Sequence, residues 1–252
     1  MTILALSDIS YSVDGHSIID RISLEASSGD WLAIAGRNGS GKSTLLRLMA
    51  NLIKPTLGDI RLNGTPYLEI ARIHQQLSIM SQRSEVHAGL RVLDLVRLGR
   101  YPYLSSWQFK LSSQDNEHVD YAIDFAGLND LRHRSVSSLS GGERQRAFLA
   151  LALAQDGTVL LFDEPTNHLD IVAQYHVLRL LKKLTDQGKL IVSVLHDLNH
   201  IAKYCNKIAL LNDGCLYGFG TVDSQFNSTS LSTAYGIDIE VDFYNDRYYI
   251  EY

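Results

Sequence analysis

The chain has 252 residues, 45% apolar and 20% charged, with a formal net charge of −5. That balance suits a globular chain of one large domain or two small ones with a sizeable core. The acidic excess gives no electrostatic footprint for DNA or RNA, so no nucleic-acid partner is expected. No apolar run approaches the roughly 18 to 20 residues that cross a bilayer. The first residues, MTILALSDIS, lack a basic n-region and a small-residue cleavage site, so export is not expected. Cys205 and Cys215 flank a strand-like stretch without metal-ligand spacing. They read as buried, reduced thiols in a cytoplasmic protein.

The chain begins as β structure. Ile9, Tyr11 and Val13 alternate with polar residues, Asp14-Gly15 marks a turn, and a second alternating run starts at Ser17. The apolar run 31–35 then meets GRNGSGKST, residues 36–44: Gly36, Arg37, Asn38, Gly39, Ser40, Gly41, Lys42, Ser43 and Thr44. A helical pattern follows at once. Glycine costs entropy on folding, so its clustering at a strand exit needs a cause. One cause is a plain turn; the other is an anion lying on bare backbone amides. Strand, glycine loop and helix are the context of a phosphate loop, whose N–H groups and helix N-terminus converge on a phosphate chain. Lys42 would reach the outer phosphates, and the Ser43 hydroxyl would sit on Mg²⁺.

The helix after the loop is expected to stop near Lys54-Pro55. A strand at 59–62 ends at the turn Asn63-Gly64, a short helix lies around Ile70, and the apolar run 77–80 leads into Ser81-Gln82. From about 84 to 155 helical periodicity dominates, with segments at 92–98, 119–126 and 142–153. Short apolar runs return at 159–162, 190–195 and 208–211, separated by helical stretches. They read as buried parallel strands. The organisation is therefore an α/β core, residues 1–83 and 156–252, with a helical subdomain inserted at 84–155. The alternating tail around Asn245-Asp246 reads as a terminal β-hairpin.

Two constellations carry the chemistry. Asp163 and Glu164 close the apolar run 160–162, and in open α/β sheets ligands sit at the carboxyl ends of strands. One carboxylate can hold Mg²⁺ through its water shell; the other can orient and deprotonate an attacking water. Leu139-Ser140-Gly141-Gly142-Glu143 has a plain reading as a capping box opening the next helix. Yet such a box does not need two consecutive glycines in the first turn. Bare amides and a serine hydroxyl at a helix N-terminus make a second phosphate-binding end.

With these residues in order, the sequence resembles the ATP-binding subunits of ABC transporters. LSGGE matches the family's signature motif, GRNGSGKST its Walker A, and 160–164 its Walker B. Tyr11 matches the aromatic that stacks on adenine, with a plain strand residue as the lesser alternative. Gln82 matches the Q-loop glutamine, which would contact Mg²⁺ and the water, or simply cap a strand. Asn167-His168-Leu169-Asp170 matches the D-loop; Asp170 would link two sites across a dimer seam or only cap a helix. His196 in VLHDLN matches the switch histidine, contacting the γ-phosphate and positioning water.

The resemblance spans about residues 3–220. It implies a P-loop NTPase core (RecA-like, with a mostly parallel sheet), an N-terminal antiparallel β subdomain and an inserted helical one. It also implies ATP and Mg²⁺ as ligands. The catalytic set is then Glu164, His196 and Gln82. The ATP-binding set is Tyr11, residues 36–44, Ser140, Gly141, Gly142 and Asp170. The metal set is Ser43, Gln82 and Asp163.

If Ser140 and Gly141 sit on a separate subdomain, they cannot easily fold back onto the same chain's Lys42. A two-fold axis solves that geometry, with ATP sandwiched in a homodimer. The aromatic stretch between Gln82 and Trp107, including Tyr101 and Tyr103, reads as a docking groove for a partner helix; the resemblance implies that this is a short cytoplasmic helix of a membrane permease. Trp107 can also serve internal packing alone. VRLGRYPYLSSW, SGGERQRAFLALALAQ, DEPTNHLDI and VLHDLN resemble the subgroup of bacterial importers for ferric siderophores and ferric citrate. Haem and cobalamin importers are close relatives, and a ribosome- or DNA-acting ATPase is the alternative outside transport. The importer reading implies a peripheral position on the cytoplasmic membrane face and an external substrate-binding protein as indirect partner.

Overall fold

The computed structural model describes residues 1–81, 89–104, 110–245 and 247–252. Gln82, Trp107 and Asp246, each expected to matter from the sequence, therefore lie outside the described residues. Strands β1 (Ile3–Val13) and β2 (His16–Ser27) form a hairpin through Asp14 and Gly15, both at positive φ. They lead into β3 (Trp31–Gly36) and helix α1 (Lys42–Met49). Next come β4 (Leu57–Leu62), the short β5 (Thr65–Pro66) and β6 (Leu77–Met80). Helices α2 (Val92–Arg97), α3 (Ser113–Phe125) and α4 (Gly141–Ala154) precede β7 (Val159–Asp163). The chain continues through α5 (Ile171–Asp186), β8 (Leu190–Val194), α6 (Leu198–Tyr204), β9 (Lys207–Asn212) and β10 (Cys215–Thr221). It closes with α7 (Val222–Gln225), α8 (Ser228–Tyr235) and the hairpin β11 (Glu240–Tyr244) and β12 (Arg247–Glu251).

Six strands form the central sheet in the order β10-β9-β3-β8-β7-β6, parallel except for β10. All six residues of β3 are buried, as expected of a parallel strand covered on both faces. Its period of two divides the core. Trp31, Ala33 and Ala35 face one cluster, shared with α2 to α6, while Leu32 and Ile34 face another, shared with α1, β1 and β2. The second cluster packs the antiparallel sheet β2-β1-β4-β5 against the central one. Between the paired neighbours β6 and β7 the chain leaves the sheet for α2, α3 and α4, which pack on one another. A buried ion pair ties them: Arg100 Nε donates to Asp115 Oδ1 at 2.9 Å, and its Nη1 donates to Ala154 O at 2.8 Å. Burial pushes the Asp115 carboxyl up, but hydrogen bonds from Ser112 and Arg100 outweigh it and hold it below the usual carboxylate range.

Several boundaries differ from the sequence expectation. Helix α1 stops at Met49, with Ala50 as cap and Asn51 at φ +56°, before Pro55 is reached. Ile70 is extended, flanked by 3₁₀ turns at Tyr67–Glu69 and Ile73–Gln75 rather than lying in a helix. Cys205 is buried but Cys215 only half-buried; both are free thiols. Tyr103 is no free aromatic: its hydroxyl donates to Gln155 O at 2.8 Å, and Arg100 lies 3.8 Å over its ring. Among the described residues no helix is long and apolar enough to cross a membrane.

Candidate functional site

The loop after β3 is built around an unavoidable glycine. Gly36 has φ +134°, and a Cβ there would lie 1.9 Å from the carbonyl oxygen of Leu211 on neighbouring β9. Only glycine lets the strand turn out of the sheet at that point. Helix α1 then starts at Lys42 with no side-chain cap and no acid in its first turn. Its leading N–H groups remain available to an anion, beside the positive end of the helix dipole. Lys42 Nζ donates to Gly36 O at 2.9 Å and to Arg37 O at 2.6 Å. An ammonium has three protons, so one is left for a phosphate oxygen. Burial pushes the Lys42 amine down, while Glu164 and Asp163 pull it back up. Asn38, Gly39, Gly41, Lys42, Ser43 and Thr44 line an open cleft together with Ile18 and Glu164.

The end of β7 meets this cleft. Ser43 Oγ donates to Asp163 Oδ1 at 2.9 Å, joining the loop helix to the strand. Burial raises the Asp163 carboxyl above its ordinary range, against the Ser43 hydrogen bond. Glu164 follows at φ +53°, a strained conformation for a residue with a Cβ, and one that concentrates at functional positions. One carboxylate oxygen, Oε1, lies 2.8 Å from His196 Nε2, and the other, Oε2, accepts from Asn167 Nδ2 at 2.6 Å. Burial pushes the Glu164 carboxyl up, but the contacts with His196 and Asn167 and the charge of Lys42 outweigh it, so its pKa is lowered. His196 follows β8, and Asp197 beyond it caps α6 by accepting from Asn199 N and His200 N. The sequence reading places Asn167 in the D-loop match and not with this acid–base pair; its position three residues after Glu164, on a tight turn, is the available signal.

Ser140, Gly141 and Gly142 lie elsewhere. Ser140 caps α4 through a full capping box: Glu143 N donates to Ser140 Oγ at 3.3 Å and Ser140 N to Glu143 Oε2 at 2.8 Å. The two glycines then separate by role. A Cβ on Gly142 would sit 2.7 Å from Ala173 Cβ, so this glycine permits the close crossing of α4 and α5. A Cβ on Gly141 would meet only Leu169 Cδ2, at an ordinary 3.7 Å. Packing within the chain does not require Gly141 to be bare. Both line a second cleft of about 490 Å³ with Ser140, His168, Asp170 and His176, which shares no residue with the loop cleft. Asp170 caps α5, accepting from Ala173 N at 2.8 Å. One strut joins the two regions: Gln145 Nε2 on α4 donates to Pro165 O, next to Glu164, at 2.7 Å.

Of the expected site, then, the fold brings together Asn38, Gly39, Gly41, Lys42, Ser43, Thr44, Asp163, Glu164 and His196. It sets Ser140, Gly141, Gly142 and Asp170 apart. Tyr11 is half-buried in β1 opposite Ile19; it is Ile18, the residue before that partner, that lines the loop cleft. Arg37 and Ser40 belong to the loop but not to the cleft wall.

Comparison with known proteins agrees with this architecture. The family model described as ABC transporter matches residues 19–167. The petrobactin import ATP-binding protein FpuC of Bacillus anthracis is 36% identical over 241 residues, covering 94% of this chain and 88% of that protein. Among solved structures, one described as an inward-facing conformation of a putative metal-chelate type ABC transporter superposes with TM-score 0.86 at 28% identity. It covers 100% of this chain and 96% of its own. The dimeric structure of MJ0796, a bacterial ABC transporter cassette, superposes with TM-score 0.74 at 26% identity, covering 87% of this chain and 98% of its own. With its phosphate loop, paired acids and detached signature turn in these positions, the chain belongs to the ABC transporter family and is one of its ATP-binding subunits.

Proposed function

We propose that this chain hydrolyses ATP to power a membrane importer of iron chelates (ferric siderophores or ferric citrate), with each ATP clamped between two copies arranged head to tail. One observation carries the mechanism: Lys42, Ser43, Asp163, Glu164 and His196 form one connected cluster, while Ser140 and Gly141 face a separate cleft of the same chain. A two-fold axis lets each signature turn close the other copy's loop cleft. Similarity to a dimeric cassette supports this arrangement. Similarity to a metal-chelate type transporter and to a petrobactin import protein supports the cargo class.

In this reading the loop amides and Lys42 hold the β- and γ-phosphates, and Tyr11 stacks on the adenine. The Ser43 hydroxyl and the Asp163 carboxylate, 2.9 Å apart, are hard oxygen donors suited to Mg²⁺. Gln82 is the third candidate donor. Bound there, Mg²⁺ would supply positive charge against the phosphate oxygens. Glu164, kept ionised by its neighbours, takes a proton from the attacking water as its oxygen bonds to the γ-phosphorus and the bond to ADP breaks. His196 orients Glu164 and the γ-phosphate. From the second copy, Ser140 and the Gly141 amide add donors to the γ-phosphate. Loss of that phosphate removes the joint between the copies.

The motion leaves through the helical segment. A cleft of about 430 Å³ on it is lined by Leu90, Asp94, Leu98, Tyr101, Leu104 and Leu111 among others. Its mixed apolar and charged wall suits a short helix of a permease. The permease holds the chain at the cytoplasmic membrane face and connects it to a substrate-binding protein outside.

The test has two arms. The purified chain should hydrolyse ATP, and Glu164→Gln should abolish turnover while keeping ATP bound. Cells lacking the gene should lose uptake of radiolabelled ferric siderophore or ferric citrate. Retained uptake of these with loss of haem or cobalamin uptake would reassign the cargo, and nucleic-acid-stimulated ATPase activity would contradict the transport reading.

A further inference from the structure

The loop that holds the triphosphate has a second neighbour, which the mechanism does not use. Helix α8 packs on β3 and β9, and its last residues lie at the exit of β3. Asn212, one residue beyond the Leu211 that pairs with Gly36, donates through Nδ2 to Thr233 O at 3.1 Å. Two residues on, the Tyr235 hydroxyl is shielded from water and faces the Gly36 backbone, with no hydrogen bond of regular geometry among the described residues. Burial pushes this phenol up to about 12, against the Gly36 amide, so it remains a neutral hydroxyl at physiological pH. Gly236 caps the helix at φ +69°, and the Arg37 guanidinium packs on it, 3.0 Å from where a Cβ would stand. A cation there also complements the negative end of the helix dipole. Both residues that open the loop, Gly36 and Arg37, thus rest on the end of α8.

We infer that Tyr235 is a positioning residue for the phosphate loop: from the end of α8 it braces Gly36 on the side facing the C-terminal segment, beside the Gly236 on which Arg37 packs, and so sets affinity for the triphosphate. The brace extends further. Ser232 Oγ accepts from Ile239 N at 2.9 Å and Ser228 Oγ from Val241 N at 3.0 Å, which fixes the terminal hairpin to α8. The hairpin also packs on α6, the helix that begins two residues after His196. The C-terminal segment therefore touches the strand that feeds the loop and the helix that follows His196.

This inference rests on the reading of residues 36–44 as the ATP-binding loop, and the experiment separates the two. ATP affinity, KM and kcat are measured with Mg²⁺ on the full chain for wild type, Tyr235→Phe and Tyr235→Leu, with melting temperatures in nucleotide-free buffer. Removing a buried hydroxyl that lacks a good partner does not weaken the fold. Tyr235→Phe should therefore melt at or above the wild-type temperature, yet bind ATP about 3- to 10-fold more weakly, with KM raised and kcat within about two-fold. Tyr235→Leu should bind more weakly still, giving the order Tyr, Phe, Leu. Unchanged affinity in Tyr235→Phe would overturn the inference even if Tyr235→Leu fails to fold. So would an affinity loss that only tracks a lower melting temperature. A wild-type chain that binds no ATP would instead overturn the reading on which the inference rests.

Discussion

The two regions proposed to face phosphate are built in opposite ways. The loop half is embedded: Lys42 and Asp163 are each 5% exposed, joined through Ser43, and backed by a strand buried on both faces. The signature half is presented: Ser140 and Gly141 lie exposed at the start of α4, anchored by their own capping box rather than by the central sheet. Groups that must polarise and deprotonate gain from a low-dielectric setting. Groups that must meet and release a partner gain from the surface. In the proposed mechanism the embedded half binds and the presented half waits for another molecule's nucleotide.

Substitutions can break or sharpen that contrast. The largest effect is expected at Glu164. Glu164→Gln should lower turnover by about 10²- to 10⁴-fold, the usual contribution of a general base, with ATP affinity retained; single-turnover hydrolysis and equilibrium binding check it. Lys42→Ala should act on binding instead, weakening ATP by about 10- to 100-fold through loss of a charge-assisted hydrogen bond. Titration calorimetry reads that loss. Gly141→Ala is the sharpest probe of the presented half. The added methyl fits within the chain, so thermal stability should hold, but turnover should fall about ten-fold or more because the approach to the other copy's phosphate is blocked. Normal turnover in a stable Gly141→Ala chain would break the contrast. Ser140→Ala should cost about 1 kcal/mol of stability from the lost cap and lower turnover, leaving ATP binding to the monomer unchanged.

The smallest effect concerns pH. Glu164 is held below its ordinary pKa and is already ionised at neutral pH, so it contributes no loss of activity until the pH falls below about 4.5. An acid limb near pH 6 that disappears in Glu164→Asp would contradict that assignment.

Local chemistry made much of this legible in the sequence. Strand β3 and its glycine loop are readable because an apolar run, a nine-residue glycine loop and a helix follow one another directly, and Asp163 and Glu164 because a buried strand ends in acids. Boundaries set by polar residues were harder. Helix α3 begins at Ser113, six residues before its apolar periodicity starts, because its first turns are solvated and its start is marked only by the Ser112–Asp115 capping box. Helix α1 ends at Met49, two residues before Asn51 enters the left-handed region, a weaker signal than Pro55. Contacts between distant segments left no periodic trace at all. Gln145 with Pro165 and Tyr235 against Gly36 depend on how the chain folds back, and only the structure brings them together.

The claim that ATP joins the two halves is tested most directly by measuring the mass of the Glu164→Gln chain in solution, by size-exclusion chromatography with light scattering, with and without Mg²⁺ and ATP. The account predicts a monomer without nucleotide and a stable dimer with it, because binding persists while the joint is no longer cleaved. A chain that binds ATP to saturation and remains a monomer would contradict it.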